Sequence, residues 1–313
     1  MQQTTFRAMG SQIQVLLDTD APGALPALTR VPEWFEGWEQ QLSRFRTDSE
    51  LSTLNRSQGR PVKVSQELWD VVALALEAAR QSQGLVTPTL LDALEGAGYD
   101  RSFDALPKSE DVPTKSDQRQ PSTLIMDTDP AKVIIRDPQQ RIIRLATGSR
   151  LDLGGVGKGW AADQTARRLA AIGPALVDAG GDIAVSGPRA TGEPWMIDVA
   201  NPFISDQNLQ SLLITSGGVA TSGRDYRRWQ RGGRWYHHII DPRTGHPAIT
   251  DVVSATIVAP TTSQAEVAAK VALILGSDDG LAWLEARSEL AGLLVLEDGW
   301  LLRTSRLAAY EPA

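Results

Sequence analysis

Three histidines within ten residues make the stretch from His237 to His246, HHIIDPRTGH, the first place to look for chemistry. It contains every histidine of the chain. Histidine has an unperturbed pKa near neutrality, so it can accept or donate a proton at physiological pH. The same letters also fit a buried strand ending at Ile239 and Ile240, followed by an Asp-Pro-Arg-Thr-Gly turn. The pattern therefore predicts either a proton-transfer site or a strand and turn with incidental histidines.

A glycine-rich stretch at residues 151–163, LDLGGVGKGWAAD, is the second candidate. Glycines let backbone N–H groups approach a ligand closely, and the helix amino terminus expected after them favours an anion. The spacing is that of neither a G-x-G-x-x-G motif nor a Walker A motif, which needs Ser or Thr where Gly159 stands. Two further glycine turns occur at 178–187 and 215–226. Each alone is typical of a tight turn, but three of them beside the histidines favour a phosphate-bearing ligand.

Composition restricts the class of protein. The chain has 313 residues, 42% of them hydrophobic, which suits one large domain or two closely packed ones. Its formal charge of -7 argues against a general nucleic-acid surface and leaves room only for a local basic pocket. The sequence has no cysteine, which excludes disulfides, thiolate nucleophiles and Cys-ligated zinc. No apolar run approaches the roughly 20 residues of a membrane span, so we expect no membrane insertion.

Periodicity and capping residues predict the elements that position these candidates. Alternation over residues 5–18 predicts a first strand, with Met9 and Gly10 near its beginning. Apolar positions at helical spacing predict a helix over 65–83, with Ser65 as N-cap and Gly84 as the stop. Further helices are predicted near 31–45, after a cap at Asp48 or Ser49, in the segment after Gly84, near 160–172 and near 264–275.

Hairpins and one long loop complete the predicted architecture. Strands near 132–136 and 141–146, joined by DPQQ, predict one hairpin, and the stretch 293–303 predicts another. Residues 104–123 are rich in Pro, Ser, Lys, Asp and Gln and predict a surface loop. Because hairpins and helices alternate without a regular βαβ series, the expected fold class is α+β.

In this order the motifs resemble those of the ApbE family, the FAD:protein FMN transferases. The resemblance covers nearly the whole chain and rests on MGS (9–11), SRFRTDSELSTLN (43–55), LDLGGVGKGWAAD, VDAGGDI, TSGRDY, HHIIDPRTG and the AEVAAK helix. It implies an α+β fold in which mixed and antiparallel sheets and packed helices surround an FAD cleft. It implies one ApbE-like unit over residues 1–313, or two closely packed lobes. The implied activity moves FMN from FAD to a Ser or Thr hydroxyl of an acceptor protein and releases AMP.

Site residues follow from the resemblance, position by position. His238 matches the family's proposed base, which deprotonates the acceptor hydroxyl. A hydroxyl is a poor nucleophile near neutral pH without such a base. Met9 and Phe45 match positions that line the flavin or the adenine. The residues expected to contact FAD are Met9, Phe45, Asp152, Lys158, Ser222, His238 and Lys270.

One helix departs from the family pattern. The family usually has an Asp metal ligand and, four residues later, a Thr that also faces the metal, whereas this chain has Glu266 and Lys270. The resemblance implies a magnesium site formed by Glu266 and the backbone carbonyl of Gly155. Two other interpretations are open. Glu266 and Lys270 form an ordinary i,i+4 ion pair worth about 0.3 to 0.5 kcal/mol, or the Lys270 ammonium takes the place of the metal, held by Glu266.

Three functions are consistent with these residues. Retention of His238, Asp241 and Lys158 favours FMN transfer to an acceptor protein that carries a Ser or Thr flavinylation site. The altered metal helix favours an FAD-binding protein that has lost transfer activity. The third function is an FAD pyrophosphatase, in which water is the nucleophile and FMN and AMP are released. The amino-terminal sequence has no signal-peptide or lipobox pattern, which predicts a cytoplasmic location.

Overall fold

A computed structural model describes residues 1–106 and 129–312, which combine α-helices with antiparallel β-sheets, so the predicted α+β class is confirmed. The helices are α1 (Ala24–Leu42), α2 (Glu50–Asn55), α3 (Gln66–Gln81), α4 (Leu91–Gly96), α5 (Pro130–Val133), α6 (Gly157–Leu169), α7 (Thr262–Leu275) and α8 (Ser277–Glu285). The strands are β1 (Gln2–Ala8), β2 (Ser11–Leu17), β3 (Val62–Lys63), β4 (Ile134–Asp137), β5 (Ile142–Leu145), β6 (Ala175–Ala179), β7 (Asp182–Val185), β8 (Trp195–Ala200), β9 (Asn208–Ile214), β10 (Gly217–Gly223), β11 (Arg228–Arg231), β12 (Arg234–His237), β13 (Ile240–Asp241), β14 (His246–Pro247), β15 (Val252–Ala259), β16 (Ala291–Leu296) and β17 (Leu301–Arg303).

The chain divides into two compact units. The first unit comprises Met1–Glu39, Val156–Gly223 and Thr250–Ala313, and the second unit comprises Gln40–Gly155 and Arg224–Ile249. The expectation of one domain or two closely packed lobes stays a prediction. No helix in the two described ranges is long and apolar enough to cross a membrane.

An eight-stranded sheet forms the centre of the first unit, in the order β1-β2-β6-β7-β10-β15-β16-β17. β15 lies between β10 and β16, and all of its side chains are buried. A strand buried on both faces needs small or β-branched residues throughout, and the sequence VVSATIVA supplies them. α7 packs against β10 and β15. The β8–β9 hairpin adds Trp195 and Ile197 to a core shared with Leu293.

The amino-terminal segment differs from its prediction. In place of one strand over residues 5–18 there are two, β1 and β2, which pair from Gln2 with Leu17 to Ala8 with Ser11. Met9 and Gly10 form the turn between them, with φ of +51° and +65°. Positive angles at both positions are what a type I′ turn requires. The prediction failed because type I′ turns usually have Asn or Asp before Gly, and Met at this position does not indicate a turn.

α1 begins one to two turns before its predicted start, running from Ala24 to Leu42 in place of 31–45. Pro32 lies inside it. A proline lacks the N–H that a helix interior uses, so it is expected in the first turn and costs about 3 kcal/mol further along. Burial of Leu28 on the amino-terminal side and Phe35 on the carboxyl-terminal side offsets that cost, because each is at most 1% exposed.

Caps and hairpins of the second unit agree with their predictions. Ser49 caps α2 and Ser65 caps α3, each accepting a hydrogen bond from the N–H three residues later, at 3.0 and 3.1 Å. β4 and β5 form the predicted hairpin, and β3 pairs with β5. α4 is the predicted short helix after Gly84, whose φ is +86°. In the first unit the predicted carboxyl-terminal hairpin is confirmed as β16 and β17.

Two other predictions need comment. Two helices were predicted in the second half, but a third, α8, follows α7. Gly276 is the only residue between them, and with a φ of +85° it is both the C-cap of α7 and the N-cap of α8. One intervening residue leaves no composition signal, which is why α8 was missed. Most of the predicted loop over 104–123 lies outside the described residues. Its described beginning is structured, since Phe103–Ala105 forms a 3₁₀ turn and Leu106 is buried.

Candidate functional site

The predicted site residues fall into two groups, one in each unit. In the first unit α6 starts at Gly157, so Lys158 lies in its first turn, and α7 carries Glu266 and Lys270. A spacing of four residues places the last two on the same face of the helix. Asp182 is the first residue of β7. We call Lys158, Asp182, Glu266 and Lys270 the lysine–carboxylate cluster.

Two buried carboxylates hold the two lysines of this cluster. Lys270 Nζ lies 3.1 Å from Glu266 Oε1, and Lys158 Nζ lies 3.6 Å from the same oxygen. Lys158 also forms a close ion pair with Asp182 Oδ2. The carboxylate side chains of Glu266 and Asp182 are 1% and 3% exposed, against 18% for Lys158 and 16% for Lys270. The ammonium groups therefore keep some access to solvent, and the carboxylates have almost none.

Glu266 also occupies the amino terminus of α6. Its Oε2 accepts a hydrogen bond of 3.0 Å from the N–H of Gly159, and the N-cap residue Val156 makes no side-chain cap. Burial alone raises the pKa of Glu266. The ammonium groups of Lys270 and Lys158 and the Gly159 N–H outweigh burial, so the pKa of this carboxyl lies below its usual value. The anion that the glycine-rich stretch was expected to attract is here, in part, a carboxylate of the protein itself.

Glycine at position 159 follows from this close approach of α6 and α7. A Cβ there would lie 2.9 Å from Glu266 Oε2 and 3.0 Å from the Cα of Ser263. Any larger residue would push the carboxylate or the backbone of α7 away. The departure from a Walker A motif at this position thus has a packing reason.

Asp182 has no counterpart among the predicted site residues. It follows the turn Gly180–Gly181, whose φ angles are +70° and +90°, and Asp178 precedes that turn. Asp178 Oδ1 accepts the Gly181 N–H at 2.7 Å. Burial raises the pKa of Asp178, although the backbone N–H groups and Lys158 oppose that rise. The signal that could have found this pair is the DAGGD sequence, in which acids flank a Gly-Gly turn after a buried strand.

The residues around Glu266 do not fit a magnesium ion. A divalent ion would have to compete for oxygens that are already engaged, because Glu266 Oε1 faces two ammonium groups and Oε2 accepts the Gly159 N–H. A cation at this carboxylate would also be repelled by Lys158 and Lys270. Within residues 1–106 and 129–312, no three Asp, Glu or His side chains are grouped so as to hold a metal. The predicted pairing of Glu266 with Gly155 around magnesium therefore finds no support in the donor groups.

Asp152 belongs to an ion pair in the second unit. Its Oδ2 lies 2.5 Å from Arg44 Nε, and the two side chains are only 15% and 5% exposed. Its Oδ1 accepts the N–H of Gly154 at 2.8 Å, and its own N–H donates to the carbonyl of Pro88 at 2.8 Å. With both oxygens engaged, Asp152 positions Arg44.

Arg44 in turn lies on a group of aromatic rings. Its guanidinium carbon is 4.1 Å from the ring centroid of Phe45 and 4.8 Å from that of Tyr99, and a terminal nitrogen donates to the Tyr99 carbonyl at 2.8 Å. Tyr99 stacks on Trp229 with centroids 5.5 Å apart and meets His238 edge-on at 6.4 Å. Burial raises the pKa of Tyr99. We call Arg44, Phe45, Tyr99, Trp229 and His238 the aromatic cluster; Arg44, Tyr99 and Trp229 were not predicted.

The three histidines have different surroundings. His237 Nε2 lies 3.1 Å from the Ala248 carbonyl, so the neutral ring donates its N–H there. Burial, aided by the charge of Arg224, lowers the pKa of His237 to about 4. His246 is exposed and pairs with Asp241 across β13 and β14. His237 is thus held to the backbone, whereas His238 is partly buried and lies edge-on to Tyr99, and its role as the base stays a prediction.

The expected strand and turn are present as well. Gly245 has a φ of +72°, and its N–H donates to the Asp241 carbonyl at 2.8 Å. Arg243 forms a two-pronged pair with the carboxylate of Asp241, and the closest approach is 2.8 Å. The turn chemistry and the candidate base therefore coexist in one stretch, and the two interpretations of the histidine motif are not exclusive.

Three predicted residues are not among the members of either cluster. Met9 lies in the β1–β2 turn and is partly buried. Ser222 is 7% exposed on β10, paired with Ala255. Gly155 is partly buried at the end of the glycine-rich stretch. The structure thus brings Lys158, Glu266 and Lys270 together in the first unit, and it brings Phe45, Asp152 and His238 into one network in the second.

Sequence comparisons give a consistent family. The model of the ApbE family matches residues 9–294. The FAD:protein FMN transferase of Treponema pallidum is 33% identical over 288 residues, which cover 87% of this chain and 77% of that protein. The FAD:protein FMN transferase of Salmonella typhimurium is 29% identical over 300 residues, which cover 94% of this chain and 83% of that protein.

Solved structures give the same fold. The ApbE protein from Thermotoga maritima superposes with a TM-score of 0.85 at 25% identity, over 100% of this chain and 99% of that one. The flavin transferase ApbE from Vibrio cholerae superposes with a TM-score of 0.78 at 25% identity, over 99% of each chain.

Proposed function

The chain belongs to the ApbE family, and from that membership we propose that it is an FAD:protein FMN transferase. In this reaction a Ser or Thr hydroxyl oxygen of an acceptor protein attacks the FMN-side phosphorus of FAD. A new P–O bond forms as the bond to the bridging oxygen breaks, and that oxygen leaves with AMP. The family match over residues 9–294 is the observation that carries the proposal.

We assign the base to His238. The acceptor hydroxyl must lose its proton as it attacks phosphorus, and a base within hydrogen-bond reach typically contributes about 100-fold to 10,000-fold in rate. His237 is a poor choice because its pKa of about 4 leaves it a weak base held to the Ala248 carbonyl. His238 is partly buried and its ring lies edge-on to Tyr99, with centroids 6.4 Å apart, which supports its choice as a positioned base.

The lysine–carboxylate cluster suits the pyrophosphate of FAD. Charge develops on the leaving AMP phosphate, and fixed positive groups lower the energy of that transition state. Lys158 and Lys270 are each held by a buried carboxylate and keep 18% and 16% of their side chains exposed. Because their positions are fixed before substrate arrives, little reorganisation is needed when the phosphates bind.

For the cation itself, we infer that Lys270 takes the place of magnesium. Oε1 of Glu266 already accepts from Lys270 and Oε2 accepts from the Gly159 N–H, so this carboxylate orients an ammonium group. The proposal derives no step from a metal ion. It assigns the neutralising charge to Lys270 together with Lys158.

Asp152 and Phe45 have roles in flavin binding under this proposal. Asp152 fixes Arg44, and Arg44 supports the face of Phe45, which is 42% exposed and available to a planar ring. Met9 and Ser222 remain assigned to FAD by their family positions. The Ser or Thr identity of the acceptor residue is also part of the proposal and rests on the family resemblance.

The test uses FAD and a mixture of short synthetic Ser- and Thr-containing peptides with varied flanks. AMP is measured by chromatography and flavin-labelled peptide by mass spectrometry. We expect both products in equal amounts, and neither with His238→Ala. AMP with free FMN and no labelled peptide would mean a pyrophosphatase. FAD binding without AMP, when a known flavin transferase labels the same mixture, would mean a binding protein.

One variant and one binding measurement control this test. His246→Ala removes an exposed histidine of the same stretch and should leave the rate unchanged. FAD titration by flavin fluorescence should show that His238→Ala still binds FAD. If His238→Ala loses FAD binding to the same extent as transfer, His238 is a binding residue and the assignment of the base is wrong.

A further inference from the structure

The β11–β12 hairpin is basic in a protein that is otherwise acidic. Residues 224–237, RDYRRWQRGGRWYH, contain five arginines and one aspartate, a formal charge of +4, whereas the whole chain carries -7. We call this segment the basic hairpin. A concentration of one charge sign in a chain of opposite net charge marks a surface with a specific partner more often than a general one.

The hairpin has one buried and one outward face. Trp229 pairs with Tyr236, and both side chains pack into the core of the second unit with Tyr99. Trp229 is 6% exposed, and its indole N–H donates to the Ala97 carbonyl at 2.9 Å. Because side chains alternate along a strand, their neighbours Arg228, Gln230 and Trp235 point the other way. The inner face anchors the hairpin, so the outer face is presented on a fixed support.

The outer face combines cationic and aromatic groups. Arg228 and Gln230 are exposed, Trp235 is 60% exposed, and Arg228 lies 4.8 Å from the centre of the Trp235 indole. Tyr226, just before β11, is 80% exposed. Arg, Trp and Tyr are the residue types that carry most binding energy in protein interfaces. Trp235 thus keeps most of its apolar surface in solvent beside an arginine, where a partner can reach both groups.

The hairpin leads directly to the candidate base. β12 ends at His237, which pairs with Arg228, and His238 is the next residue. Any acceptor must bring its hydroxyl within hydrogen-bond reach of that base. A segment bound along the outer face would therefore contact Arg228, which pairs with His237, the residue before His238.

We propose that the basic hairpin docks an acidic segment of the acceptor protein, next to the residue that receives the flavin. This inference rests on the proposed function, because it takes His238 as the base. Guanidinium groups bind carboxylates in two-pronged pairs, and Trp235 offers an apolar contact beside them. The occupant is taken to be a protein segment and not nucleic acid, because the proposed reaction delivers FMN to a protein hydroxyl at His238, the residue after this hairpin.

The test measures binding of three fluorescein-labelled peptides to the FAD-saturated protein by anisotropy. Each peptide has a central Thr, flanked by Asp and Glu, by Ser and Asn, or by Lys. We expect the acidic peptide to bind at least about 10-fold more tightly than the neutral one, and more weakly as salt is raised. Arg228→Gln and Arg228→Glu should remove most of that preference.

Arg287 provides a matched control, because its guanidinium also lies on a tryptophan ring, 3.5 Å from the centre of Trp283, but it follows α8 in the first unit. Arg287→Glu makes the same charge change and should leave peptide binding intact. Equal loss in the two variants would overturn the proposal, as would an acidic peptide that binds no better than the basic one. Tighter binding of a single-stranded DNA oligonucleotide would overturn it in favour of nucleic acid.

FAD titration separates this inference from the proposed function. Arg228→Glu should bind FAD as the unaltered protein does. Weaker FAD binding would mean that the hairpin binds the nucleotide and would refute the docking proposal. Peptide binding is read without turnover, so a failure of AMP release leaves the anisotropy result interpretable. The preference for acidic flanks and the transfer of FMN can therefore fail independently.

Discussion

Lys270 Nζ lies 3.1 Å from Oε1 of Glu266, one helical turn earlier on α7, and the Glu266 side chain is 1% exposed. A pair at this spacing on a helix surface contributes about 0.3 to 0.5 kcal/mol. A buried pair is different from a surface pair, because removing one partner leaves an uncompensated charge in the interior and costs more stability. Lys158 at 3.6 Å and the Gly159 N–H share the same carboxylate, so the pair belongs to a network.

Lys270→Met should lower the free energy of unfolding by about 3 kcal/mol, because Glu266 then keeps only part of its compensating charge. The double variant Glu266→Gln, Lys270→Met should recover part of that loss. Urea unfolding of the four proteins of this cycle measures the coupling, which we expect to be on the order of 1 to 3 kcal/mol. Additive effects of the two substitutions would show that the ion pair contributes no net stability.

We expect FAD binding to be independent of magnesium, because both oxygens of Glu266 already accept hydrogen bonds. FAD binding, followed by flavin fluorescence, should be the same with magnesium and with excess chelator. The variant Glu266→Asp, Lys270→Thr, which restores the residue types that the family pattern has at these positions, should gain magnesium binding measurable by calorimetry in the absence of FAD. Glu266→Asp alone is the matched control, because it keeps the ammonium and should not bind the ion. Magnesium-dependent FAD binding by the unaltered protein would refute the assignment of Lys270.

His237 should make the stability of the protein depend on pH. Its folded-state pKa of about 4 lies below the ordinary 6.5, so the unfolded chain binds the proton more tightly. The stabilising contribution is complete above about pH 6.5 and is lost as the pH falls from there toward about 4. Between about pH 7.5 and 5 this amounts to about 2 kcal/mol.

The measurement is urea unfolding at the two pH values. His237→Gln keeps an N–H donor for the Ala248 carbonyl but cannot be protonated, so it should lose about 2 kcal/mol less than the unaltered protein. His246→Gln, at an exposed position, should behave like the unaltered protein. The same pH slope in all three proteins would mean that His237 stays neutral in the unfolded chain or charged in the folded one.

Met9 should show a conflict between stability and binding. A φ of +51° is unfavourable for Met, and Asn followed by Gly is the preferred sequence of this turn. Met9→Asn should therefore raise the free energy of unfolding by about 1 kcal/mol and weaken FAD binding several-fold, because the side chain assigned to the flavin or adenine is lost. Thermal melting and fluorescence titration measure the two effects.

Gln58→Asn is the control for that substitution. Gln58 has a φ of +53° and is followed by Gly59 at +81°, in a turn that was not assigned to the site. Gln58→Asn should raise the free energy of unfolding by a similar amount without a change in FAD affinity. If Met9→Asn binds FAD as well as Gln58→Asn does, Met9 adopts its conformation for reasons other than the ligand.

Local interactions explain which predictions succeeded. Ser49 and Ser65 cap helices through hydrogen bonds to the N–H three residues later, and the β4–β5 hairpin closes within a few residues. A short window of sequence therefore contains all the residues that determine these elements. The Glu266–Lys270 pair was foreseen for the same reason. Failures came where a local signal was overridden or missing, as at Pro32 inside α1 and at Met9 in a type I′ turn.

The sequence by itself determined the α+β class, the family, the capped helices and the histidine beside the turn, because periodicity, caps and motif order are properties of neighbouring residues. Only the tertiary structure decided that Glu266 receives the N–H of Gly159, 107 residues away, together with the ammonium of Lys158. It likewise decided that Asp152 fixes Arg44 and that Asp182 joins the lysines. These contacts depend on which helices and strands pack together. Because an unpaired buried charge is costly, each buried charge is paired, and the residue that pairs with it can be distant in sequence.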